Sequence, residues 1–388
     1  MYDLLSGQQL ETPIRMVHIE VTDKCNSECP VCPRNFNGGQ VHPNIKNIQL
    51  GLDYFKLLGE DFMKEIVQWQ FCGTRGDPMA NTEIVEICKY IRSVSPWVKI
   101  IIRSNGGIGG VERYKELSEI IGSRGFFVFS VDGWEDTNHI YRKNVRWDKV
   151  RANMDAYLSG PGIMHWDFIV FKHNHHQIPQ AIEFAKKNNI HLELKEPFGF
   201  ERNVGSDKAF VTDLPVYDRK TGDLLYVIEP ETDNEIPNFI HGYQPGRMGT
   251  KYLGAKIEKI NHAQNNKNQG KAFPALTDYS FLRNYKPSDF EYKCEAIERS
   301  ELFIDCDGMF IPCCFIASAQ FMGEPQILDM YSKVDKTKLF PTETWRPADI
   351  LQTEFFTKIM PDAFDGKLDD AAGSCHTCVN MCGKMPDH

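Results

Sequence analysis

No apolar run in the 388 residues approaches the roughly 18–20 residues that a bilayer-spanning helix needs; the best candidate, Trp166 to Phe171, is strand-sized. The sequence does not open on a basic segment followed by an apolar stretch, so no export signal is expected. A low-complexity tract is also missing. Positive charge is in short supply: 44 Lys and Arg face 53 Asp and Glu, for a formal net charge of −9. That balance argues against a broad electrostatic footprint for nucleic acid and leaves a small or basic substrate open. A cytoplasmic chain with no membrane and no nucleic-acid partner is expected. At 41% apolar and 25% charged, the composition is that of a globular protein. The length exceeds the ~100–200 residues of one domain, which points to two modules or to one large barrel with an extension.

Cysteine is what the sequence has in surplus. Twelve cysteines without an export signal point to metal or cluster ligation rather than disulfides. Three fall within residues 25–32 and seven from Cys294 onward, leaving Cys72 and Cys88 between, so two separate metal-binding regions are the simplest reading. Cys72 reads as a residue at a strand end and Cys88 as part of an apolar helix face.

The first half alternates strands and helices. Strands are expected over Met16–Val21, Glu65–Cys72, Val98–Arg103, Gly125–Ser130, Met164–Phe171 and Ile190–Lys195. Between them, Ile84, Ile87, Cys88 and Ile91 recur at helical spacing, with Asn81 or Thr82 as the cap. Ile178, Ala181, Ile182 and Ala185 repeat that spacing, Leu52, Phe55, Leu58 and Phe62 form another stripe, and helices fit Val111–Ser123 and Val145–Leu158. Such βα units imply a parallel sheet with right-handed crossovers, either a partial barrel or a doubly wound sheet, and ligands at the carboxyl ends of its strands. After Pro197 the rhythm stops, and residues 201–290 read as an irregular insertion or linker with a substrate-binding role. From Cys294 onward, Leu302–Ile304 and Met309–Ile311 read as two short strands about a turn at Asp307–Gly308.

On the loop leaving the first strand, Cys25 and Cys29 stand four apart and Cys32 follows three later. Three thiolates can hold a four-iron cluster and leave one iron without a protein ligand. Zinc is the competing reading, but zinc takes four ligands and no His lies close by in sequence. The CxxxCxxC motif in this place resembles the signature of the radical S-adenosylmethionine (SAM) superfamily. Membership implies an enzyme in which a [4Fe-4S] cluster on Cys25, Cys29 and Cys32 binds SAM and cleaves it reductively to methionine and a 5′-deoxyadenosyl radical. It implies an α/β fold, a partial (β/α)6 TIM-type barrel with a small cysteine-rich C-terminal α+β extension. Where the family often has an aromatic residue before the third cysteine, this chain has Val31, and the resemblance implies an apolar contact to adenine there.

Further motifs extend the resemblance. Gly73, Thr74, Gly76 and Asp77 are similar to the Gly-Gly-Glu-Pro motif at the methionine end of SAM, with Asp in place of Glu. Ser104 and Asn105 resemble a segment near its ribose. Ser130 with the downstream Arg142 resembles a pair that contacts its carboxylate or ribose, and the planar fork of arginine suits a carboxylate. A loop with His173, His175 and His176 reads as solvated.

Cys294, Gly308 and Cys313 match the opening of the SPASM/twitch extensions, with Cys375, Cys378 and Cys382 as further ligands. The resemblance implies one auxiliary [4Fe-4S] cluster, with zinc as the alternative. Cys306 reads as a structural strand residue. Cys314, on a strand, would point away from Cys313 and serve as core or as an acid, base or hydrogen donor in the substrate cavity. Three segments are expected: 1–200 as the SAM barrel, 201–290 as the insertion and 291–388 as the auxiliary-cluster domain. The reaction expected is hydrogen abstraction from a peptide or protein side chain. Radical dehydrogenation or epimerisation of a small molecule is the second reading, and a non-catalytic zinc or cluster scaffold the third. A one-electron donor such as flavodoxin or ferredoxin is the implied partner.

Overall fold

Period-two alternation shapes the strands in a computed structural model of the chain, which describes residues 14–195, 197, 201–204, 207–210, 214–231, 291–292, 294–364, 377–378 and 383–384. The strands are β1 Met16–Ile19, β2 Gln68–Phe71, β3 Lys99–Ser104, β4 Gly125–Ser130, β5 Met164–Ile169, β6 His191–Lys195, β7 Glu201–Val204, β8 Asp207–Phe210, β9 Leu214–Tyr217, β10 Leu224–Ile228, β11 Glu291–Tyr292, β12 Glu301–Ile304, β13 Phe310–Ile311 and β14 Gly383–Lys384. Among the described residues, eight strands form one mostly parallel sheet in the order β13-β12-β1-β2-β3-β4-β5-β6. This is an α/β fold. The expected core strands lie where the sequence placed them, with no end more than three residues away.

By contacts the chain divides into two units. One holds the residues up to Lys24, Lys46–Ile102 and Tyr279 onward; the other holds Cys25–Ile45 and Arg103–Asp278. In the first unit, β1 pairs in parallel with β2 on one side and with β12 on the other. The helices here are α1 Leu52–Leu58, α2 Glu60–Glu65 and α3 Ile84–Val94. Trp69 and Phe71 of β2, buried at 0% exposure, pack on Phe55 of α1. Burying each such side chain contributes about 1.5–3 kcal/mol. The stripe from Leu52 to Phe62 is two helices rather than one, because Gly59 takes φ 82 between them. Helix α3 has Glu83 at its cap, and Asn81 Oδ1 accepts the Glu83 N–H at 2.8 Å one step earlier.

The second unit adds α4 Val111–Ile121, α5 Asn138–Tyr141, α6 Trp147–Leu158 and α7 Ile178–Lys187. One face of β4 and β5 is apolar: Phe127 and Phe129 pack on Tyr114 and Tyr157, and Trp166 packs on Phe184. Its opposite face carries Ser130, Asp167 and Glu193 side by side in register across β4, β5 and β6. Strands whose residues alternate between faces put these polar groups on one side.

The C-terminal segment contributes α8 Glu295–Glu298 before β12 and α9 Cys314–Met322 after β13. Strands β12 and β13 form the expected antiparallel hairpin. Gly308 takes φ +89 in its turn, and Tyr54 Oη donates to the Gly308 carbonyl at 2.8 Å. Through β12 this hairpin extends the main sheet rather than standing apart from it. No described helix is long and apolar enough to cross a membrane.

Candidate active site

The loop Cys25–Ile45 lies in the second unit, with hydrogen-bond donors gathered on its sulfurs. Ser27 N donates to Cys25 Sγ at 3.3 Å, and Ser27 Oγ lies 2.9 Å from Cys29 Sγ. Asn105 Nδ2 approaches Cys25 Sγ at 3.8 Å, and Arg142 Nη1 approaches Cys29 Sγ at the same distance. Donors of this kind suit thiolates that ligate an iron–sulfur cluster, whose charge such hydrogen bonds stabilise. Among the described residues, no three His, Cys, Asp or Glu side chains converge tightly enough to hold a single metal ion. By their chemistry, three thiolates on one loop with such donors are a ligand set that suits a four-iron cluster.

Arg142 follows the short helix α5, and its placement depends on Asp132, just past β4. Arg142 Nε donates to Asp132 Oδ2 at 2.6 Å, and Asp132 Oδ1 accepts the Ile169 N–H at 2.7 Å. Asp132 is 0% exposed and Arg142 16%. Burial pushes the Asp132 carboxyl up, against the pull of Arg142. Burial also works against the guanidinium, but Asp132 and the Cys29 sulfur outweigh it and hold its pKa above the ordinary arginine value. A permanent cation is therefore fixed beside Cys29. Ser130 stands two residues before Asp132 on the same strand end.

Asn105 and Ser104 close the loop after β3. Asn105 Nδ2 donates to Asn26 Oδ1 at 2.8 Å and Asn105 Oδ1 accepts from Gly107 N, while Ser104 Oγ accepts from Gly106 N. On its other flank the cysteine loop is covered by the β9–β10 hairpin. Cys29, Tyr141, Phe171, Leu214, Val216 and Ile228 form one buried cluster, with Val31 and Cys32 packed against it. Lys143 Nζ ties the layers together, donating to the carbonyls of Gly38 and Tyr217 at 2.9 Å each and pairing with Glu28 at 2.8 Å. Arg219 pairs with the other Glu28 oxygen at 2.9 Å. Residues 214–231 of the expected insertion thus lie against the cysteine loop.

In the first unit, the turn after β2 is built on Glu20. Its Oε1 accepts the N–H groups of Arg75 and Gly76, and its Oε2 takes Arg75 Nε at 2.6 Å. Gly76 is required by close approach, because a Cβ there would collide with the Thr22 carbonyl. Asp77 caps the 3-10 turn at Pro78, accepting from Met79 N at 2.9 Å. Gly73 and Thr74 share this turn.

No family model matches the chain. GTP 3′,8-cyclase of Staphylococcus epidermidis is 22% identical over 318 residues, which cover 81% of this chain and 82% of that one. Among solved structures, Streptococcus suis SuiB bound to S-adenosylmethionine is 12% identical, covering 95% of this chain and 78% of that one with a TM-score of 0.47. The coproporphyrinogen III oxidase HemN from Escherichia coli, a radical SAM enzyme, is 16% identical, covering 47% of this chain and 44% of that one with a TM-score of 0.33. The cysteine spacing on the first βα loop and the curated match over four-fifths of both chains agree. In this motif the chain resembles the radical SAM superfamily.

Beyond this radical SAM motif, the structure alters one expectation about the C-terminal cysteines. Cys314 is not on a strand: β13 ends at Ile311, Pro312 follows, and Cys314 opens α9 with Cys313 at the cap. A proline lacks the N–H that a continuing ladder needs, which is why the strand stops there. Cys314 faces His18 of β1, whose Nε2 also lies 3.2 Å from the Cys72 carbonyl and whose Nδ1 is 3.7 Å from Glu301. Cys306 is also off the strand, in the turn beside Arg75, and burial pushes its thiol up. Cys294 and Cys313 lie within electrostatic reach of one another. Cys378 is described, whereas Cys375 and Cys382 lie outside the described residues.

Sequence reasoning missed the supporting layer: Glu20, Asn26, Glu28, Asp132 and Lys143. Asp132 alone left a signal, as a carboxylate in the Ser130–Gly133 segment upstream of Arg142. The histidine loop is less solvated than expected. His173 stacks on Phe171 at 5.3 Å, and burial lowers its pKa to about 4, helped by His139 and His176.

Proposed function

We propose that this chain is a radical SAM enzyme that abstracts a hydrogen atom from a peptide or protein side chain. One observation carries the reading: donors from Ser27, Asn105 and Arg142 gather on the sulfurs of Cys25 and Cys29 in the CxxxCxxC loop. Cys25, Cys29 and Cys32 would hold a [4Fe-4S] cluster, which supplies the electron that cleaves SAM to methionine and a 5′-deoxyadenosyl radical. Arg142, fixed by Asp132, offers its remaining N–H groups to the SAM carboxylate. Ser130, Ser104 and Asn105 would line the ribose and methionine side, and Val31 would give adenine an apolar wall. Contacts by Gly73, Thr74, Gly76 and Asp77 are proposed from their motif alone. The β9–β10 hairpin shields the cysteine loop from water.

A SPASM/twitch-type auxiliary cluster on Cys294 and Cys313, completed from Cys375, Cys378 and Cys382, belongs to the same proposal. So do the division at residues 200 and 290, a cytoplasmic location and reduction by a flavodoxin or ferredoxin. Cys314, beside His18, is proposed as a hydrogen or proton donor. A second reading, a small-molecule substrate, is favoured by the similarity to GTP 3′,8-cyclase, a protein named for acting on a nucleotide. The test is anaerobic reconstitution with iron and sulfide, then SAM and a strong one-electron reductant. Formation of 5′-deoxyadenosine and methionine supports the proposal, and a reconstituted chain that leaves SAM intact overturns it. Deuterium transfer into 5′-deoxyadenosine from labelled peptides or from labelled nucleotides separates the two substrate readings.

A further inference from the structure

We infer that a cavity in the second unit, between the loop after β4 and the first turns of α6 and α7, takes the basic side chain of a peptide. Its volume is about 490 Å³, and Trp134, Glu135, Asp136, Trp147, Arg151 and His176 stand on its walls. The rings of Trp134 and Trp147 meet edge to face, with centroids 5.4 Å apart. Two indoles beside two carboxylates suit a guanidinium or an ammonium, which aromatic faces and carboxylates both attract. Glu135 is exposed and has no ion-pair partner among the described residues. Arg151 is a cation on the same wall, but it is already matched. Its Nε donates to both oxygens of Asp155, at 3.1 and 2.9 Å, and its guanidinium lies 4.7 Å over the Phe184 ring. Glu135 and Asp136 therefore leave the lining negative even when His176 is protonated.

The wall is built before any ligand arrives. Gly133, at φ +134, turns the chain after β4, and a Cβ there would collide with Thr137 Oγ1. Trp134 N then donates to Thr137 Oγ1 and to Gln177 Oε1, at 3.1 Å each, and Gln177 Nε2 donates to Asp136 Oδ1 at 2.7 Å. Trp134 is 8% exposed, its ring packed edge-on against Trp166 and Phe184. Its Nε1–H is buried and has no acceptor among the described residues. A peptide offers such an acceptor in a backbone carbonyl next to its basic side chain, whereas a bare metal ion offers none. A preformed wall also loses little freedom on binding. Trp134 stands two residues after Asp132, which holds Arg142. The cavity thus shares the carboxyl end of β4, where open α/β sheets take their ligands, with the proposed SAM contacts Ser130 and Arg142.

The site rests on the peptide reading of the proposed function for its meaning, and its test runs without SAM or reductant. The full chain carries six tryptophans, and 5-fluorotryptophan labelling gives each a fluorine resonance. Trp134→Phe and Trp147→Phe assign the two at the cavity. Titration with the capped tripeptide acetyl-Gly-Arg-Gly-amide should shift both saturably, and acetyl-Gly-Gln-Gly-amide should bind several-fold more weakly. Glu135→Gln should weaken the arginine peptide about threefold, the scale of one exposed ion pair. Glu135→Lys should weaken it about tenfold, as attraction becomes repulsion. Both changes fall on an exposed side chain, and unmoved resonances from the remaining tryptophans check the fold. No shift at Trp134 and Trp147, equal affinity for the two peptides, tighter binding of acetyl-Gly-Glu-Gly-amide, or unchanged affinity in Glu135→Lys overturns the site. Loss of SAM cleavage, or deuterium transfer from labelled nucleotides alone, overturns the proposed function and leaves these titrations untouched.

Discussion

Asp132→Asn strands Arg142 and should destabilise the second unit. Asn retains an acceptor for the Ile169 N–H, so the 2.7 Å bond to that backbone survives. What is lost is the carboxylate 2.6 Å from Arg142 Nε, in a pair whose acid is 0% exposed. Removing one partner of a buried pair costs about 3–5 kcal/mol, mostly for the charge left behind. Burial already raises the Asp132 carboxyl, so part of the attraction is offset in the wild type and the lower end, about 3 kcal/mol, is expected. With a urea m value of about 3 kcal/mol/M, the midpoint should fall by about 1 M. Tryptophan fluorescence under reducing conditions can follow this locally, because Trp166 Nε1 donates to the carbonyl of Val131, next to Asp132, at 2.7 Å. Combining Asp132→Asn with Arg142→Met removes the stranded cation and should recover more than half of the loss. An unchanged midpoint in Asp132→Asn, or a double variant no better than the sum of the singles, would refute this reasoning.

Arg142→Lys should weaken SAM binding about tenfold with normal iron content, since a point charge cannot replace the fork; equilibrium dialysis of SAM checks it, and unchanged affinity refutes it. Asp305 lets pH act on stability: its carboxyl, buried beside Arg75, is pushed from 3.8 to about 6. Its raised folded pKa means that stability is highest below the unfolded value and falls as pH rises from about 4 to 6. Asp305→Asn, which keeps the acceptor for Asp307 N and Met309 N, should gain up to about 3 kcal/mol at pH 8 and nothing below about pH 4, as read by urea unfolding. Equal curves at both pH values contradict it. Fully reconstituted chain should carry about eight irons, the content of two four-iron clusters, and replacing Cys294 and Cys313 by Ala should halve that. One zinc with four irons would replace the auxiliary cluster by a zinc site.

Strand β2 was legible because burial follows period two there: Gln68, Trp69, Gln70 and Phe71 alternate in exposure as in identity. Helix ends were less so. A glycine inside an apolar stripe does not say whether it bends or ends the helix, and at Gly59 it ends one helix and begins another. Cys314 shows the same limit, since only Pro312 separated a strand reading from a helix start. Three cysteines on one loop were visible because their spacing is local. Asp132 and Arg142 stand ten residues apart across a turn, and Lys143 reaches Tyr217 across 74, so no local pattern announces either contact.

The central claim is that Cys25, Cys29 and Cys32 hold the cluster that cleaves SAM. The variant with all three replaced by Ala tests it most directly, reconstituted with iron and sulfide beside the wild type and given SAM and a strong reductant. Wild type should release 5′-deoxyadenosine and methionine in equal amounts. The variant should release neither while keeping about half of the iron on its C-terminal cysteines. Undiminished 5′-deoxyadenosine from the triple variant would contradict the claim.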